Sequence, residues 1–426
     1  MKIAYLAAGA AGAYCGACHR DVALIRGIRA SGHDAIMLPL YTPLRMDGPD
    51  PSTDDVFLGG INCYLQQHVG IFRRTPRFVD WLLDRRLLLR WVSRFAIETD
   101  PEGLGPMTAS VLRGEHGRQR KELDRLVDFL VRDARPDLVN LSNALLSSIA
   151  PVVKTRLGVP VVCSLQGSDG FVQRLPSPHR EEVVRLLREN ARAIDLFLAP
   201  TQAYAHAMSE FLDVSRDRVR VIRPGIELGP YLDATDDRGK VFRIGFLARF
   251  SMVKGLDTLC EAFRVLERDR PGEAILALAG QQPKSGRKLW AEMSVRLSAD
   301  GMLDRVEHLG ELDFPEKVRF LKRASVFCMP SRHPAQAIVC LEAMAAGAPI
   351  VVPDRGIFPE IVELTGGGLL VPPDDPAALA EALASLRDDP ERRQRLGEAA
   401  VGGAKEHFSA GRMVRETLVA YGALVE

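Results

Sequence analysis

Short apolar runs alternate with helical patterns and glycine or proline turns along the whole chain, and that alternation constrains the fold more than any other feature. In the second half the pattern predicts strands over Val241–Ala248, Ala274–Ala279, Val306–Leu309, Ala324–Met329 and Ile350–Val352. In the first half it predicts strands over Lys2–Ala8, Ala35–Leu40, Asp137–Leu141, Val159–Leu165 and Val219–Ile222. Helices are expected over His19–Ser31, Arg180–Ala193 and Ala203–Leu212, the first ending at the capping Gly32. Strands that alternate with helices pair in parallel and are covered on both faces, so the expected class is α/β with a covered parallel sheet in each half.

At 426 residues the chain is long enough for a core in each of two or three domains. A polar, acidic, glycine-containing stretch over 228–240 reads as the linker. It separates a first domain over 1–227 from a second over 241–409, and 410–426 is a further helix. The irregular pattern of 53–119 is an insertion in the first domain. A net charge of +1 gives no global field toward nucleic acid. No apolar run reaches the roughly 18 residues of a membrane span and no cleavable signal opens the chain, so a cytoplasmic protein is expected. Seven scattered cysteines fit reduced thiols rather than a disulfide framework.

Two stretches carry candidate chemistry. GFLARFSMVKG, 245–255, sets Arg249 and Lys254 just beyond a buried strand and before a helix near Gly255. Two cations beside a helix N-terminus favour a dianionic group, because guanidinium, ammonium and free amide donors converge there. Two surface cations flanking a loop are the plain alternative for such a pair taken alone. PSRHPAQAIVCLEAMAAG, 330–347, follows the strand ending at Met329 and starts a helix at about Ala337, which brings the amides of Ile338 and Val339 to a second strand end. Glu342 inside that helix can accept hydrogen bonds from vicinal hydroxyls, the alternative being a solvated carboxylate.

Other segments exclude as much as they suggest. Gly9, Gly12 and Gly16 let the backbone approach a ligand after the first strand, but their spacing is not a dinucleotide fingerprint and no acidic residue ends the next strand. Nicotinamide cofactors are disfavoured accordingly. Cys15-Gly-Ala-Cys18-His19 spells a haem-attachment pattern that would require export, and no second cysteine pair stands at zinc-ligand spacing. A loop role is preferred for both cysteines. No Asp-x-Asp follows an apolar strand, so no metal is expected. From Arg73 to Arg94 there are seven arginines against two aspartates, interleaved with Trp81, Trp91 and leucines. A packed helix with a solvated face is the first reading of 73–95, and peripheral contact with an anionic membrane the second.

GFLARFSMVKG, PSRHPAQAIVCLEAMAAGAPIVV and RGIFPEIVE resemble, in order and spacing, the C-terminal domain of the retaining glycosyltransferases of the glycogen-synthase-like family 4, of GT-B type. The likeness covers about half the chain, and the opening glycine-rich segment matches as well. It implies two Rossmann-like domains whose parallel sheets face each other across a cleft, with 410–426 returning to the first domain. It further implies a hexosyltransferase that takes its sugar from a nucleoside diphosphate sugar, without a metal or a tightly bound cofactor. On this resemblance Arg249 and Lys254 hold the donor diphosphate, Glu342 holds the ribose, and the Gly12 loop lies across the cleft from the donor.

The family pattern of Glu, seven residues, Glu places its first glutamate on Pro334 here. His333 beside it is a candidate substitute, or an ordinary loop histidine. Gln281, Gly310 and Leu312, at strand ends, are candidate base contacts, and Ala337, Ile338 and Val339 complete the donor set. Asn140, Gln166 and Asp169 are candidates for the acceptor or the transferred sugar, with turn formation an equal reading of the Gly-Ser-Asp-Gly run. The base, the sugar and the acceptor stay open. So do two rivals: a catalytically weak sugar-nucleotide-binding scaffold, suggested by Pro334, and another GT-B enzyme such as a phosphorylase or epimerase.

Overall fold

The computed structural model describes residues 1–9, 16–43, 51–53, 56–73, 75, 101–234, 238–239 and 241–425. Gly12, Cys15 and nearly all of the basic stretch expected over 73–95 fall outside these residues. The described chain divides into two compact units, Met1–Arg223 with Met413–Glu426, and Pro224–Arg412.

The first unit is built on β1 (Lys2–Ala7), β2 (Asp34–Pro39), β3 (Leu138–Leu141), β4 (Val161–Ser164), β5 (Leu196–Ala199) and β6 (Val219–Val221). They form one six-stranded sheet in the order β2-β1-β3-β4-β5-β6, every neighbouring pair parallel. The second unit repeats the plan with β7 (Phe242–Leu247), β8 (Ala274–Ala279), β9 (Val306–His308), β10 (Val326–Cys328), β11 (Ile350–Pro353) and β12 (Gly368–Val371), ordered β12-β11-β10-β7-β8-β9. Apart from β6, β9 and β12 at the sheet edges, these strands are short, largely apolar and mostly buried, because helices cover both faces of each sheet. Phe246, Phe250, Phe263 and Phe327 are fully buried at the centre of the second core.

Two strands are absent from the sequence expectation. Leu196–Ala199 is an apolar run too short to be told from the end of the preceding helical pattern, and Gly368–Val371 follows two glycines that read as loop. In the region expected as an irregular insertion over 53–119, the described residues include helices Gly60–His68 and Pro101–Leu112.

Strand order reverses at one place in each sheet, between β1 and β3 in the first unit and between β7 and β10 in the second. Loops leaving the carboxyl ends of two such strands depart to opposite sides and open a crevice. In the first unit Ala8 donates to Ser142 Oγ at 3.0 Å across that point. The helix Ala410–Val425 packs on the same unit: Thr417 and Tyr421 are fully buried, and Tyr421 donates to Asn140 Oδ1 at 3.0 Å. Gly27 permits this docking, since a Cβ there would come within 2.4 Å of Val414 Cγ2.

In the second unit the turn before helix Leu256–Asp269 passes through Gly255 at φ 73°, and a Cβ at that position would lie 2.0 Å from the Pro330 carbonyl oxygen. Left-handed backbone and a backbone clash both select glycine. Gly255→Ala is expected to cost about 2 kcal/mol or more in urea unfolding, as strain plus displacement of the 330 loop. An unchanged urea midpoint would contradict that close approach.

Candidate functional site

The loop leaving β7 is first tied to its neighbour on the β8 side. Ala248 N–H donates to Ala279 O at 3.1 Å and Phe250 N–H to Gln281 O at 2.9 Å, which sets Arg249 between two anchored residues. Its side chain is exposed. The chain then makes a helical turn over Met252–Lys254, where Lys254 is half-buried. Lys254 lies close to the first turn of helix Ile338–Ala345: burial pushes the Cys340 thiol up to about 12, and the Lys254 charge pulls it the other way.

On the other side of the switch point the loop leaving β10 is clamped onto the first. Arg332 N–H donates to Val253 O at 2.8 Å and Ser331 Oγ to the same oxygen at 3.2 Å. The Arg332 guanidinium grips Asp257 in a two-pronged pair, 2.9 Å on each oxygen, and reaches Asp374 at 2.6 Å. Its charge is thereby compensated within the loops, and its role is to join them. His333 is exposed and Pro334 half-buried against the loop at Gly356.

Helix Ile338–Ala345 starts at Ala337, whose φ of 50° is unusual for a residue with a side chain. Ala337 O accepts from Cys340 N–H at 2.8 Å and Leu341 N–H at 3.2 Å, and no side chain caps the turn. The amides of Ile338 and Val339 are therefore not committed to a cap, the arrangement that makes a helix start an anion site. One turn on, Glu342 is 7 % exposed. Its Oε1 accepts from Tyr231 OH at 2.7 Å and from Lys317 Nζ at 3.0 Å.

Around the same sheet edge, Gly280 N–H donates to Gly310 O at 2.7 Å, joining the loops after β8 and β9. Gln281 and Leu312 are half-buried there. His308 lies against Trp290 and Phe250, with ring centroids 5.2 and 5.5 Å away, and desolvation holds its imidazole below the usual histidine range. It is therefore neutral at pH 7. Among the described residues no group of three or more His, Cys, Asp or Glu side chains is assembled to hold a metal ion.

The first unit corrects one expectation. Asn140 lies inside β3, fully buried, and its amide is engaged by Tyr421, by Leu141 O at 3.2 Å and by Ser164 Oγ at 3.4 Å. It joins the sheet to the last helix and does not line the sheet edge. Gln166 is half-buried and donates to Asp21 Oδ1 at 2.8 Å. Burial raises the Asp21 carboxyl despite the opposing pull of Arg20, 2.9 Å away. Asp169 accepts from Tyr204 OH, which in turn accepts from Gly167 N–H at 3.1 Å. Burial first, and the Asp169 charge second, raise the Tyr204 phenol, so it remains a donor.

Lys317, Tyr231 and the Arg332–Asp257 pair were not singled out from the sequence. A signal for Lys317 existed: Asp313-Phe-Pro-Glu316 is a capping box that opens helix Phe314–Arg323 and places Lys317 at its start. Nothing local marks Tyr231, which reaches Glu342 across more than a hundred residues of chain.

The fold agrees with comparison to known proteins. Residues 233–402 match the family described as Glycosyl transferases group 1, and residues 108–229 match Glycosyltransferase Family 4. A D-inositol 3-phosphate glycosyltransferase of Salinispora tropica is 26 % identical over 414 residues, covering 88 % of this chain and 83 % of its own. The structure of Anabaena HepE in complex with UDP is similar over 100 % of both chains, with TM-score 0.70 and 18 % identity. Sucrose-phosphate synthase of Thermosynechococcus elongatus is similar over 99 % of this chain and 98 % of its own, with TM-score 0.70 and 17 % identity. With two parallel Rossmann-like sheets and both family matches, the chain belongs to the group 1 glycosyltransferases of GT-B type.

Proposed function

We propose that this glycosyltransferase takes a sugar from a UDP-sugar and transfers it with retention of anomeric configuration, holding the donor diphosphate at the β7/β10 switch point of the second unit. The observation that carries the reading is the joining of two cation-bearing or amide-bearing strand ends in one place: Arg249 and Lys254 after β7, and the uncapped helix start at Ile338 after β10. UDP is the donor nucleotide to try first because HepE, similar over its whole length, is bound to it. The acceptor to try first is an inositol phosphate, from the names of the curated relatives.

Breaking the bond between the anomeric carbon and the diphosphate oxygen leaves additional negative charge on the diphosphate. Groups that hold this charge stabilise the transition state more than the bound sugar nucleotide, and so raise turnover. Arg249, Lys254 and the Ile338 and Val339 amides act in that way, with Glu342 on the donor ribose and backbone near Gly310, Leu312 and Gln281 beside the base. Pro334 contributes no carboxylate to the sugar, and the exposed His333 beside it is the candidate substitute. Gln166 and Asp169 are read as contacts of the acceptor or transferred sugar.

UDP at about a hundred times its dissociation constant is expected to add roughly 2.7 kcal/mol of stability in thermal unfolding. GDP and ADP should add less, and Lys254→Ala should abolish the shift. No shift from any of the three would overturn the donor site and favour a scaffold that has lost it. With UDP-glucose as donor and inositol phosphate as acceptor, Arg249→Ala is expected to lower turnover about a hundredfold, the cost of removing one preorganised donor to developing charge. Turnover equal to wild type would contradict the electrostatic mechanism.

A further inference from the structure

We infer that Lys317 and Tyr231 are positioning residues that make the donor site specific for a ribonucleotide, by locking one oxygen of Glu342 so that the other meets the ribose hydroxyls. The inference rests on the donor-site reading above. Tyr231 comes from the short helix Gly229–Leu232 and Lys317 from helix Phe314–Arg323, yet both donate to the same atom, Oε1, at 2.7 and 3.0 Å. Both are buried, at 2 % and 4 % exposure. The Phe314 ring holds the two donors in place. It meets Tyr231 edge-on with ring centroids 6.2 Å apart, and Lys317 Nζ lies 4.9 Å from its centroid.

A carboxylate has about four acceptor positions, two on each oxygen. Two protein donors on Oε1 fill one end of Glu342 and fix its rotation, and Oε2 remains the end that can accept from two adjacent hydroxyls. A sugar lacking one hydroxyl would leave a desolvated acceptor short of a donor, which is the strongest kind of discrimination a polar site achieves. Once either protein donor is lost, Glu342 can rotate and satisfy itself elsewhere. Discrimination then falls even though the diphosphate site is intact.

Calorimetric titration of the full chain with UDP and with 2′-deoxy-UDP tests this. Wild type is expected to bind UDP about tenfold or more tightly than 2′-deoxy-UDP, since a polar contact made only by the ribonucleotide sets the ratio. In Tyr231→Phe and in Lys317→Met the ratio should drop below about threefold, with 2′-deoxy-UDP affinity within about twofold of wild type. Tyr231→Phe keeps the ring and its packing, so it decides the question if Lys317→Met fails to fold. Equal weakening of both nucleotides, an unchanged ratio in Tyr231→Phe, or a wild type that does not discriminate would each overturn the inference. A wild type that binds neither nucleotide overturns the donor-site reading itself.

Discussion

The approach of the Gly255 turn to the Pro330 carbonyl is the contact on which the proposed donor face of the second unit depends. Strands β7 and β10 are neighbours, but the chains leaving them belong to opposite halves of the sheet and would ordinarily separate. A residue without a Cβ lets them touch, and Arg332 then fastens them through Asp257, Asp374 and the Val253 carbonyl. The consequence is electrostatic as well as steric. Arg332 is compensated by two carboxylates inside the junction, so the loops are held together without adding a loose cation beside Arg249 and Lys254. A rigid junction matters because charge stabilisation works only from donors that need not reorganise.

Both units solve the burial of polar groups in the same manner. A tyrosine hydroxyl donates to a buried or half-buried acceptor from a distant part of the chain: Tyr421 to Asn140, Tyr204 to Asp169, Tyr231 to Glu342. Each ring fills space as a hydrophobe would while its hydroxyl meets an acceptor that would otherwise be costly to desolvate. The first bond holds the C-terminal helix on the first sheet, the second organises the turn after β4, and the third orients the carboxylate beside the proposed donor site.

The alternation of strands and helices was legible in the sequence because parallel strands buried on both faces must be apolar throughout, and most of the ten expected strands stand out for that reason, the edge strands β6 and β9 less so. Leu196–Ala199 and Gly368–Val371 were not, since four residues beside a helix or a glycine run carry no period of their own. Arg249, Lys254 and Glu342 could be offered as candidates because their positions relative to strand ends are local, while their expected roles came from the family resemblance. Asn140 misled for the opposite reason. A polar residue at the end of an apolar run reads as a sheet-edge group, and only the returning helix, with Tyr421 nearly three hundred residues away in sequence, shows that its partner is internal. Tyr231 was invisible on the same ground, and the capping box before Lys317 marks a helix start but not the acceptor that the two residues share, which no spacing encodes.

The measurement that tests the central claim most directly is a crystal structure of the chain soaked with UDP. The account predicts the β-phosphate within about 3 Å of Arg249, Lys254 and the amides of Ile338 and Val339, hydrogen-bond distance for charged donors, with the ribose on Glu342. Diphosphate density bound elsewhere, with those groups untouched, would contradict it.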